Sequence, residues 1–79
     1  MNYTHHFTTL YQACRHDLGM SDKQIADYLG VKKVAFWYKK NGQTVRKLDV
    51  LSLCALLVIK RVKGYVKYRE LFLEIADVK

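Results

Sequence analysis

The chain is a succession of apolar stripes at helical spacing, punctuated by four glycines at positions 19, 30, 42 and 64. Phe7, Leu10, Tyr11, Cys14 and Leu18 fall at i, i+3, i+4, i+7 and i+11, which predicts a first helix over about 4–18 with Gly19 as its left-handed end. Ser21-Asp22-Lys23-Gln24 has the form of a capping box, in which the serine hydroxyl and the glutamine side chain satisfy each other's backbone N–H groups. It opens a second helix with Ile25, Ala26 and Leu29 inward and Gly30 at its end. A third short helix is predicted over about 32–40, stopped by Asn41-Gly42, two residues that tolerate positive φ. The fourth, from 46 or 48 to 62, is apolar nearly all round, so it must be covered on more than one side, and a second subunit is the expected cover in so small a domain. The fifth, over 65–78, carries Tyr65, Tyr68, Leu71, Phe72, Ile75 and Val78 on one broad face. The pattern predicts an all-α single domain of five helices spanning residues 1–79, with no repeat or linker.

Composition fits that picture: 51% of the 79 residues are hydrophobic, 13% are aromatic and none is proline, values typical of a folded chain. The apolar run from Val50 to Ile59 is ten residues long, half of what a membrane-spanning helix needs (about 20), so no membrane association is expected. The start, Met1-Asn2-Tyr3-Thr4-His5-His6, has neither a basic segment nor an apolar one of the secretory kind, and a cytoplasmic location is expected. In such a compartment Cys14 and Cys54 are expected as buried free thiols. His5, His6 and His16 lack the Cys or carboxylate spacing of a zinc site, and no metal or cofactor is expected. Catalysis has no support either, since there is no Gly-rich phosphate loop and no credible nucleophile, base and acid set.

Charge alters the picture more. The net charge is +7, and it is uneven: from Lys32 to Lys67 there are ten basic residues and one acid, Asp49, a balance of +9. Such a block suits a phosphate backbone or an acidic protein face.

Residues 21–42, SDKQIADYLGVKKVAFWYKKNG, are the most informative stretch. The helix start at Ser21 to Gln24, the Ile25-Ala26 pair, the Leu29-Gly30-Val31 turn, Phe36 six residues after that glycine and the closing Asn41-Gly42 together resemble the helix-turn-helix of the phage repressor and Cro-like (Xre) family. A small Ala26 allows two helices to cross closely, Gly30 accepts the turn conformation, and Val31 and Phe36 would pin the second helix to the first. The resemblance implies a lambda-repressor-like five-helix fold and a small sequence-specific regulator of transcription, a repressor of phage or mobile-element type. It implies binding to double-stranded operator DNA as a homodimer. The third helix would enter the major groove, where Lys32 or Lys33 meets guanine and Val34 a thymine methyl, with Trp37, Tyr38 and Asn41 on the same face. Lys40 and Arg46 belong to the positive rim, and Ser21 and Gln24 open a helix whose first N–H groups suit a phosphate. Asn41 and Gln43 are read equally well as DNA contacts or as residues of the helix-ending turn.

One position departs from the family pattern: an apolar residue usually follows the Phe36 position by three, and here that place holds Lys39. Two registers of the third helix therefore compete. In one, Phe36 is core and Lys32, Lys33, Val34, Trp37, Tyr38 and Asn41 face outward; in the other, Val34 and Trp37 are core and a lysine face with Phe36 looks outward. An exposed Trp37-Tyr38 pair would also suit a protein contact, so a scaffold that binds and modulates a host or phage protein is the alternative function.

Overall fold

The computed structural model describes residues 3–77, and the predicted place of Val78 in the last helix lies outside them. Five helices follow in order: α1 (Tyr3–Asp17), α2 (Asp22–Leu29), α3 (Lys33–Lys40), α4 (Lys47–Ile59) and α5 (Tyr65–Ala76). Among the described residues there is no strand, and no helix is long and apolar enough to cross a membrane.

The helix ends follow local chemistry. At α2 the Gln24 N–H donates to Ser21 Oγ (3.2 Å) and the Ser21 N–H to Gln24 Oε1 (2.8 Å), completing the expected capping box. Gly30 closes α2 at φ 72°, with the Gly30 and Val31 N–H groups donating back to Asp27 and Ala26. These are the two reversed hydrogen bonds of a left-handed helix end. The same pair ends α4 three residues short of the predicted limit, from the Arg61 N–H to the Val58 carbonyl and from the Val62 N–H to that of Leu57. The left-handed residue here is Arg61, at φ 51°. A non-glycine residue in that conformation costs on the order of 1 kcal/mol.

α1, α4 and α5 form the body, with α4 packed between the other two. Phe7, Leu10 and Cys14 of α1 and Val50, Leu53, Cys54 and Leu57 of α4 are sealed from solvent, joined by Tyr68 and Ile75 of α5. Burying each large apolar side chain of this set contributes about 1.5–3 kcal/mol. The chain therefore covers most of α4 by itself, more than its all-round apolar pattern suggests, leaving Leu48 (64% exposed) and Ile59 (72% exposed) at its two ends. α2 and α3 rest on this body through Ile25, Ala26 and Phe36, with the Phe36 ring against Phe7 (6.4 Å, edge-on) and Tyr11 (5.9 Å). The loop after α3 is held at its base by α1. Thr4 Oγ1 donates to the Gly42 carbonyl at 3.3 Å, and a Cβ on Gly42, already at φ 83°, would stand 3.1 Å from Thr4 Cγ2.

Candidate nucleic-acid interface

α2 and α3 are eight-residue helices joined by the three residues Gly30, Val31 and Lys32. The register of α3 sets what the pair presents. Phe36 is 3% exposed, whereas Val34 (66%), Trp37 (56%) and Tyr38 stand out into solvent. Of the two competing registers the protein adopts the one with Phe36 in the core, and the alternative with Val34 and Trp37 buried is excluded.

Lys39 then lies where the resemblance leads one to expect an apolar side chain, and it is buried. Its ammonium group donates to Asp49 Oδ2 (2.8 Å) and to the Thr44 carbonyl (2.9 Å), with the two side chains only 5% and 3% exposed. Asp49 also accepts from the Arg46 N–H at 2.9 Å, and the Arg46 guanidinium stands 3.5 Å away. Burial pushes the Asp49 carboxyl up, but the hydrogen bonds from Lys39 and from the Arg46 backbone, with the two cations, outweigh it and hold the group below the usual carboxylate range. The stem of Lys39 fills the apolar position and its head ties α3 to the start of α4.

A second acid organises the opposite side of α3. Asp22, in the first turn of α2, accepts from Tyr11 (2.5 Å), Lys40 (2.7 Å) and Arg15 (3.2 Å), joining α1, α2 and α3. The hydrogen bonds from Lys40 and Tyr11 hold its carboxyl below the ordinary value, against the opposing effect of burial. Tyr11 is pushed up by burial and by its bond to Asp22, and Lys40 by its bond to the same carboxylate.

All eleven residues singled out from the sequence occupy solvent-exposed positions: Ser21, Gln24, Lys32, Lys33, Val34, Trp37, Tyr38, Lys40, Asn41, Gln43 and Arg46. They are not equally available. The side chains of Ser21 and Gln24 are engaged in the capping box, Lys40 is paired with Asp22, and Asn41 Nδ2 donates to the Trp37 carbonyl at 2.8 Å as a residue of the helix-ending turn. Lys32, Lys33 and the Gln43 side chain have no hydrogen bond or ion pair among the described residues. Lys32 and Lys33 are thus the freest cations of the set. The Trp37 and Tyr38 rings meet edge-on at 5.2 Å.

Between α2 and α3 runs a groove of about 430 Å³, floored by Ala26 and Phe36, walled by Trp37 and ringed by Lys23, Lys33, Lys40 and Asp22. Sequence reasoning did not single out Asp22 as an anchor, nor Lys39 and Asp49 as a pair. The signal for the pair was nonetheless present, because the one acid of the basic block is the partner of the one lysine that breaks the apolar pattern. No gathering of three or more His, Cys, Asp or Glu side chains suited to a metal exists among the described residues. No family model, no curated protein and no solved structure matches this chain.

Proposed function

We propose that the chain is a small DNA-binding regulator of transcription, a repressor or Cro-like protein of phage or mobile-element type. In this reading α2 and α3 act as a helix-turn-helix. The observation that carries it is the orientation of α3, with Phe36 buried and Lys33, Val34 and Trp37 outward. The start of α3 enters the major groove, where Lys32 and Lys33 donate to guanine O6 or N7 and Val34 packs on a thymine methyl. Arg46, at the start of α4, meets phosphate, and the buried Lys39–Asp49 pair keeps α3 and α4 in one register so that these contacts fall together. Two copies, in contact through α4 and α5, would set their α3 helices in half-sites about 34 Å apart, and such a protein works in the cytoplasm.

Fluorescence anisotropy of labelled duplexes tests this directly, comparing a random sequence with the DNA flanking the protein's own gene at low and near-physiological salt. The expected result is a preference for the flanking DNA that persists as salt rises, with a log–log salt slope of about −0.9 per phosphate neutralised. Lys32→Ala and Lys33→Ala should each weaken binding. Equal, purely salt-sensitive binding to both duplexes, or unchanged affinity in both variants, would refute it. A sedimentation run showing only monomer at tens of micromolar would remove the homodimer.

The groove beside Trp37 favours a second reading, in which the same surface holds an apolar side chain of an acidic protein. Trp37 is the single tryptophan of the chain, so its emission reports on that surface directly. A blue shift on adding a protein partner, with no change on adding duplex DNA, would favour this second reading.

A further inference from the structure

Once the buried Lys39 is set aside, the basic block from Lys32 to Lys67 divides into two groups on different parts of the molecule. Lys32, Lys33, Lys40, Arg46 and Lys47 belong to α3, its flanks and the start of α4, whereas Lys60, Arg61 and Lys63 lie on the turn between α4 and α5 and Lys67 in the first turn of α5. The thirteen residues of α4 put about 20 Å of helical rise between Arg46 and Lys47 at its start and Lys60 and Arg61 at its end. That is more than twice the screening length of about 8 Å at physiological salt, so the turn does not simply reinforce the field at the start of α4.

All four residues of the turn group are exposed, and none has an ion pair among the described residues. The chain carries no acid between Asp49 and Glu70 to offset them. The Lys67 ammonium lies 5.0 Å over the Tyr68 ring, which holds it on the surface without neutralising it. Arg61 adds a separate observation. It occupies the left-handed position that closes α4, as Gly19 and Gly30 do after α1 and α2 and Asp77 does after α5. A guanidinium is the side chain best matched to phosphate oxygens, and none of these four residues lines the groove between α2 and α3; the apolar side chains exposed beside them are Ile59 and Val66.

We propose that the α4–α5 turn is a second binding site for the phosphate backbone of duplex DNA, engaging a stretch separate from any held at α3. The site goes beyond the proposed function; holding two duplexes at once rests on that reading, whereas the contribution of the turn to the salt slope does not. Through it one molecule can hold two segments of duplex at once.

The test uses the full chain, a bead-bound duplex and a second, fluorescent duplex of random sequence. Wild-type protein should retain the fluorescent duplex on the beads, and the variant K60S/R61G/K63S/K67S should retain at least tenfold less while still binding the first duplex. Arg61→Gly alone should melt no lower than wild type and yet show a salt slope shallower by about one. The same shallower slope is expected when Arg61→Gly is introduced beside Lys32→Ala and Lys33→Ala, which separates failure at the turn from failure at α3. Equal capture by the fourfold variant, or an unchanged slope in Arg61→Gly both alone and beside Lys32→Ala and Lys33→Ala, would overturn the proposal.

Discussion

Replacing Lys39 with methionine removes one half of the buried pair while keeping a flexible apolar stem at a position that is 4% exposed. Asp49 would be left in the interior without its 2.8 Å ammonium partner. Breaking a buried ion pair from one side costs about 3–5 kcal/mol, because the remaining charge keeps its desolvation penalty. The low end applies here, about 3 kcal/mol, since the Arg46 N–H and guanidinium still serve the carboxylate. A domain of this size holds only about 3–5 kcal/mol in its core, so Lys39→Met should lie close to the unfolding threshold. In urea, with a slope of about 1 kcal/mol per molar, the midpoint should fall by roughly 3 M. The double variant Lys39→Met with Asp49→Leu removes both charges, and it should recover to within about 1 kcal/mol of wild type or exceed it. The coupling between the two sites is thus expected to reach at least about 2 kcal/mol in a double-mutant cycle. A Lys39→Met protein within 1 kcal/mol of wild type, or single-variant losses that simply add in the double variant, would refute the claim that the pair fixes the register of α3.

Three further outcomes follow from the same packing. The folded-state carboxyls of Asp49 and Asp22 are held below their unfolded value of about 3.9, so their contribution is fully present above about pH 4 and lost as pH falls through the depressed folded values. Acid titration followed by far-ultraviolet circular dichroism should show this loss, and stability rising below pH 4 would contradict it. Phe36→Ala should cost about 3–4 kcal/mol and Trp37→Ala less than about 1, and the reverse order in urea melts would show that the other register is the true one. Burial pushes the Cys14 and Cys54 thiols up to about 11, so in the folded protein they should react with a disulfide reagent at pH 8 at least about a hundredfold more slowly than in the unfolded chain. Prompt labelling of either thiol would show that α1 and α4 open readily.

Much of the fold was legible because helix periodicity and end chemistry are local. The stripe from Phe7 to Leu18, the capping box at Ser21 and Gln24, and the glycine at position 30 each state an element with no knowledge of the rest of the chain, and all five helices lie within a few residues of the predicted spans. The end of α4 was the largest miss. The left-handed turn at Arg61 was invisible, since arginine gives no sign of that conformation, and its stabilising partner Val62 is recognised only by its burial.

The candidate interface divides along the same line. That residues 21–42 form a helix pair with Lys32 and Lys33 outward could be read from residue type and spacing, since both registers place those two lysines there. The rotation of α3 about its own axis could not, because eight residues hold only two turns and both faces offered enough apolar surface to be a core. Contacts between residues distant in sequence decided it: Phe36 is received by Phe7 and Tyr11 of α1, and Lys39 by Asp49 of α4. By itself the sequence determined which segments are helical, where most of them start, and how the charge is distributed along the chain. Only the tertiary structure decided which lysine is buried and which are free, because a charge enters an interior only where packing brings a partner of opposite sign to meet it.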